Sequence, residues 1–257
     1  MDSKPPPSSH PFFEAKRQEA AEHERRMRED PAYRAEHDRA ERERKARKEE
    51  ATRVEDGLKR MARRASMRIP RRVSAYLDDL WETDARAAVL EFMASDCPLT
   101  FLVLGGGVGT SKTVAACHGL DLDGFREVRR VNFGDVETVR VGLRGLFVPA
   151  SEFNARAIDA DFWKEVREVD RLVLDDLERW RWDDRGWAAA QWDGVVNSRY
   201  DGELKTIITT NLILDDFKRR FLSLDGGRLL DRFHEAGRFQ AVRGDSLRRP
   251  RAAGGAA

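Results

Sequence analysis

Four short apolar runs punctuate the chain: Thr100-Phe-Leu-Val-Leu104, Gly145-Leu-Phe-Val-Pro149, Arg171-Leu-Val-Leu-Asp175 and Lys205-Thr-Ile-Ile-Thr-Thr210. Their length and their bounding turn residues predict buried strands, as in a parallel sheet. The stretches between them read as helices, so the strands would be joined by right-handed crossovers. Glu82 to Ala94 predicts a helix with Ala88, Leu90 and Phe92 among its apolar residues, and another starts at Lys112. Ser151 caps a predicted helix that runs through Val169, with Phe153, Ala157, Ile158, Phe162, Val166 and Val169 on its apolar side. Trp192 and Val195 belong to the buried side of the helix before the last of the four strands. Val131-Asn-Phe and Val136-Glu-Thr-Val-Arg-Val141 alternate, and Phe133-Gly-Asp between them predicts an inserted hairpin.

Upstream of residue 66 the pattern disappears. Met1 to Phe13 is rich in Pro and Ser and reads as unstructured, whereas Glu14 to Ser66 is dense in Glu, Arg, Lys and Ala. Opposite charges fall four apart, as in Glu22–Arg26 and Glu43–Arg47, which supports helix. Met27, Tyr33, Val54, Leu58 and Met61 form no sustained heptad seam. The segment reads either as a solvated helix or disordered arm, or as a partner-binding arm that orders on contact. Leu58 to Arg72 holds seven basic residues and no acid beside them from Leu58 onward, which suits nucleic-acid phosphate or a basic hinge equally. The expected organisation is an arm at 1–66, a nucleotide-binding domain at 67–248 and a tail at 249–257.

The chemistry sits at the strand ends. Gly106-Gly-Val-Gly-Thr-Ser-Lys-Thr113 follows the first strand and matches the Walker A pattern G-x-x-x-x-G-K-S/T, except for Ser111 in place of glycine. In that pattern the backbone N–H groups of Gly106, Gly107, Val108, Gly109, Thr110 and Ser111 wrap phosphates, Lys112 reaches the β/γ oxygens and Thr113 holds Mg²⁺. Arg171-Leu-Val-Leu-Asp-Asp-Leu177 has the Walker B form, with Asp175 as metal ligand and Asp176 polarising the attacking water. Helix capping is the plainer reading of paired acids, but it does not explain the upstream lysine loop.

Two more segments follow in order: Lys205-Thr-Ile-Ile-Thr-Thr-Asn-Leu212 and Gly226-Gly-Arg-Leu-Leu-Asp-Arg-Phe233. They resemble the sensor 1 strand and the arginine-finger segment of AAA+ ATPases. With Leu174-Asp-Asp-Leu177, Arg199-Tyr200, Leu146-Phe-Val-Pro-Ala-Ser-Glu-Phe153 and Gly244-Asp-Ser-Leu-Arg248, the set resembles the DnaC/IstB-type helicase-loader branch over about Ile69 to Arg248. That resemblance implies an αβα sandwich of the P-loop AAA+ type and an oligomeric ATPase using ATP and Mg²⁺. It further implies a role as helicase loader in DNA replication, with a replicative helicase and single-stranded DNA as partners. Asn211 would sense the γ-phosphate, Arg232 would reach a neighbour's ATP with Arg228 in support, and Arg248 would be a second sensor. A transposase helper of the IstB kind shares these motifs, and a non-hydrolysing adaptor is suggested by Ser111.

Composition excludes little and agrees with a soluble intracellular protein. Among 257 residues, 47 basic and 46 acidic side chains nearly cancel, so net charge names no partner. The two cysteines, Cys97 and Cys117, lie far apart, and the five histidines show no metal-ligand spacing. No apolar run is long enough for a bilayer and the amino terminus has no signal-like core, so the expected compartment is the cytoplasm. Glu178-Arg-Trp-Arg-Trp-Asp-Asp-Arg-Gly-Trp187 interleaves Arg179, Arg181 and Arg185 with tryptophans, which reads first as a subunit interface and second as a base-stacking surface.

Overall fold

The computed structural model describes residues 11–79, 82–94, 96–132, 135–181, 186–222 and 227–243. The chain divides into two units, Met1–Arg60 and Met61–Ala257. Its helices before the sheet are α1 (Pro11–Glu29), α2 (Pro31–Ser66), α3 (Arg71–Ser74) and α4 (Asp84–Met93). Then come β1 (Phe101–Gly106), α5 (Lys112–Asp121), β2 (Phe125–Asn132), β3 (Asp135–Gly142) and β4 (Gly145–Pro149). The remainder is α6 (Ala150–Ala155), α7 (Ala160–Glu168), β5 (Arg171–Asp175), α8 (Trp187–Asp201), β6 (Lys205–Thr210), α9 (Leu214–Phe217), α10 (Arg228–Ala236) and β7 (Gly237–Val242).

In the first unit, Asp30 separates α1 from α2 and caps the latter, its carboxylate accepting from the N–H groups of Ala32 and Tyr33. Tyr33 packs under Arg26, and its hydroxyl meets His23. Helix α2 also brings ligand atoms of His37, Asp38 and Glu41 within 4.8 Å of one another, a solvated grouping that sequence spacing did not indicate. Among the described residues, no helix is long and apolar enough to cross a membrane.

The second unit is built on a parallel sheet of order β4-β5-β6-β1-β7. Successive strand residues face opposite sides, so each strand serves two cores. Phe101, Val103, Leu146, Leu172, Leu174 and Ile208 join α6 to α10 on one face. Leu102, Leu104, Phe147, Val173 and Ile207 join α3, α4 and α5 on the other. The result is a three-layer αβα sandwich around a parallel sheet, with the glycine-rich loop of a P-loop fold following β1. The four predicted strands stand where the apolar runs placed them, and β2 pairs with β3 as an antiparallel hairpin. The hairpin's predicted turn at Phe133 and Gly134 lies outside the described residues. Strand β7, on the sheet edge beside β1, is an addition to the sequence reading.

Several sequence expectations are corrected. The helix expected from Ser151 to Val169 is two helices. The chain breaks after Ala155, and Asp159 caps α7 by accepting from the N–H of Phe162 at 2.9 Å. Ile158 falls in that break and is 99% exposed, and Leu90 faces outward from α4 at 39%. Ser151 does not cap α6, whose N-cap is Pro149. Trp180 is not a surface residue: it is buried among Phe153, Trp163 and Trp192 and so is removed from base stacking and from a subunit interface. Trp182 and Arg185 lie outside the described residues. The basic run is partly spent on internal pairs, since Arg64 is buried between Asp78 and Asp121 while Arg63 pairs with Asp123 and Arg68 with Glu165.

Candidate nucleotide site

The sheet order decides what meets at its carboxyl edge. β6 lies between β1 and β5, so the residues after β6 stand between the loop after β1 and the acids ending β5. Gly106 ends β1 at φ +145°, and a Cβ there would come 2.2 Å from the Val242 carbonyl oxygen of β7. Only glycine fits that approach. Gly109 turns at φ 88° and Ser111 at φ 63°, after which α5 begins at Lys112. Val108 is exposed at the loop tip, and Thr110 closes the turn by donating to the Gly107 carbonyl at 2.9 Å. The Ser111 hydroxyl lies 3.3 Å from that of Thr83, the N-cap of α4. The unpaired N–H groups of a helix start make such a loop an anion site.

Four of the expected residues come together here. Lys112 is buried, and its Nζ donates to the carbonyls of Gly106 at 2.8 Å and Gly107 at 2.7 Å and to Asn211 Oδ1 at 3.2 Å. Thr113 Oγ1 donates to Asp175 Oδ1 at 2.7 Å. Thr209 Oγ1 donates to the same oxygen at 2.7 Å and also accepts from the Asp176 N–H at 3.0 Å. Burial pushes the Asp175 carboxyl above its ordinary range; the two hydroxyl donors act against this, and the neighbouring Asp176 and Glu178 add to it. A half-buried carboxylate beside a hydroxyl is an all-oxygen donor set suited to a hard divalent cation, so Thr113 and Asp175 fit Mg²⁺.

Asp176 occupies left-handed backbone at φ 53°, with its carboxylate 3.6 Å from Arg179. Arg228 is exposed at the start of α10. Arg232, one turn further on, lies over the Tyr200 ring at 5.3 Å, and its Nη1 is buried without a hydrogen-bond partner. Its contacts are therefore with α8 rather than with the lysine loop. Arg248 lies outside the described residues. Sequence reasoning missed two supporting residues, Thr209 and Glu178. Glu178 accepts from Asn211 Nδ2.

A cleft of about 440 Å³ lies elsewhere, lined by Arg63, Met67, Gly124, Phe125, Leu143 and Glu165 among others. It sits by Gly145, where β4 begins, and so at the opposite edge of the sheet from the loop. No residue of the loop lines it.

No family model and no curated protein matches the chain. Among solved structures it is similar to the DnaC helicase loader, at 21% identity and a TM-score of 0.47, covering 68% of this chain and all (100%) of that one. It is also similar to DnaI, at 16% identity and a TM-score of 0.48, covering 70% and 94%. A third likeness is to AMPPCP-bound DnaA from Aquifex aeolicus, at 18% identity and a TM-score of 0.42, covering 66% and 49%. Scores of this size decide nothing about activity; the fold is read from the strand order and the loop.

Proposed function

We propose that this chain is an ATP-dependent helicase loader of the DnaC/IstB type acting in DNA replication, with ATP held at residues 106–113. The observation that supports this most is the meeting of two hydrogen-bonded pairs, Lys112–Asn211 and Thr113–Asp175, gathered from three strand ends. Lys112 and the loop N–H groups bind the phosphates, and Thr113 and Asp175 hold Mg²⁺, which supplies charge neutralisation when bound. Asp176 acts as base or water-orienter, and Asn211 helps place the water. Arg232, with Arg228 in support, acts across a subunit boundary on a neighbour's ATP, so the working form is an oligomer; arginine fingers contribute about 10³–10⁵-fold where measured. Single-stranded DNA and a replicative helicase are the partners. The arm at 1–66 is a partner-binding segment that orders on contact, and Arg248 is the second sensor.

A non-hydrolysing adaptor is the second reading, favoured by Ser111 standing in left-handed backbone where the loop pattern has glycine. ATP turnover with and without single-stranded DNA separates the two, because the loader turns ATP over and the adaptor does not. Co-purification with a replicative helicase supports the loader, and co-purification with a transposase instead overturns it in favour of the IstB kind.

A further inference from the structure

Asn211 sits between a group that only donates and one that, when ionised, only accepts. Lys112 Nζ lies 3.2 Å from its oxygen, and Glu178 Oε1 accepts from its Nδ2. An ammonium has no lone pair to offer and a carboxylate no proton, so exchanging the amide's oxygen and nitrogen would oppose like groups on both sides. The chemistry of the neighbours therefore fixes the amide orientation. Glu178 is itself placed by the short turn Leu177–Arg179 that follows β5, with Leu177 anchored in the core.

We infer that Glu178 is a positioning residue for the reaction: it holds the Asn211 amide so that the carbonyl oxygen, not the NH₂ group, is presented toward Lys112 and the phosphate site. Asn211 then orients the attacking water by accepting a hydrogen bond from it, while the NH₂ group stays engaged by Glu178. The role rests on the ATPase reading above, but the orientation of the amide does not. Glu178 differs in this from Asp176, which faces Arg179 and belongs to the acid pair that the Walker B pattern identifies.

The test uses the full chain and two readouts. In side-chain amide NMR, the Asn211 NH₂ signal of the wild type is expected to show slowed solvent exchange, and Glu178→Ala is expected to raise that exchange about tenfold. In steady-state ATP hydrolysis, Glu178→Ala is expected to lower kcat about tenfold with KM within about twofold, and Glu178→Gln, which keeps an acceptor, to recover part of the loss. The double variant with Asn211→Ala is expected to be no slower than Asn211→Ala alone, because both changes remove one interaction. Unchanged amide exchange in Glu178→Ala overturns the orientation, and additive losses in the double variant overturn the role through Asn211. A wild type that shows the protected amide but no turnover sinks the ATPase reading and the catalytic role together, leaving the orientation standing.

Discussion

Burial holds the Asp175 carboxyl above the ordinary range, and the hydroxyls of Thr113 and Thr209 offset only part of that effect. A raised native value means that the carboxyl's contribution to stability is complete below the ordinary value of 3.8 and is lost as pH rises through the native value. At neutral pH without a cation, the ionised group is a net cost to folding. Asp175→Asn is therefore expected to melt higher than wild type at pH 7 in EDTA, with the gap closing as pH falls toward the ordinary carboxylate range. It is also expected to lose the stabilisation that Mg-ATP gives the wild type. A variant melting below wild type in EDTA contradicts this. Ser111 carries a different cost: left-handed backbone at a non-glycine residue is worth about 1–3 kcal/mol. Ser111→Gly is expected to tighten Mg-ATP binding about fivefold or more by equilibrium titration. Unchanged affinity would show that the serine does not handicap the site. Lys112, Thr113, Asp175 and Asn211 were legible in the sequence because each sits at a fixed offset from an apolar strand. Thr209 and Glu178 were not, because their roles come from neighbouring strands and only the sheet order reveals them.

At the scale of elements, a buried arginine joins the layers. Arg199 of α8 is fully buried and donates to Thr206 Oγ1 and to the carbonyls of Val166, Val169 and Lys205. It thereby ties α8 to the end of α7, to the turn before β5 and to β6. Burial lowers its pKa, and the carbonyl acceptors supply the polar partners that a desolvated cation needs. Arg199→Met keeps the volume but leaves those acceptors unpaired, at about 1–3 kcal/mol each. The expected loss of unfolding free energy is at least about 3 kcal/mol by denaturant titration, and a loss below about 1 kcal/mol would contradict the role given to it. The sequence presented this residue only as part of an Arg-Tyr phrase, because nothing in a helical pattern marks an arginine as inward. The strands were plain for the opposite reason, their apolar runs being short and bounded. β7 escaped because Arg238 and Gln240 interrupt its apolar positions on a half-exposed edge. The long helix after β4 was expected as one because Phe153 and Ala157, and then Ile158, Phe162 and Val166, fall four apart across a break after which Asp159 caps α7.

For the whole molecule, the compact second unit begins at Met61, so Arg63 and Arg64 belong with it. Arg64 is buried against Asp121 at the end of α5, the helix that starts at the lysine loop. Removing residues 1–60 is expected to leave a cooperatively unfolding core. Removing 1–66 is expected to destabilise that core by about 3 kcal/mol or more, because Asp121 would remain half-buried without its cation. Equal stability of the two truncations would contradict the contribution assigned to Arg64. Partner identity was least legible, since the first unit offers charge and helix without an apolar pattern that would name a partner. Hydrolysis of ATP at the loop is checked by Mg²⁺-dependent phosphate release from the wild type beside Lys112→Ala. Turnover by the wild type is expected, with a fall of at least about a hundredfold in Lys112→Ala and loss of its Mg-ATP binding. Equal phosphate release by the two proteins, or unchanged nucleotide binding in the variant, would contradict it.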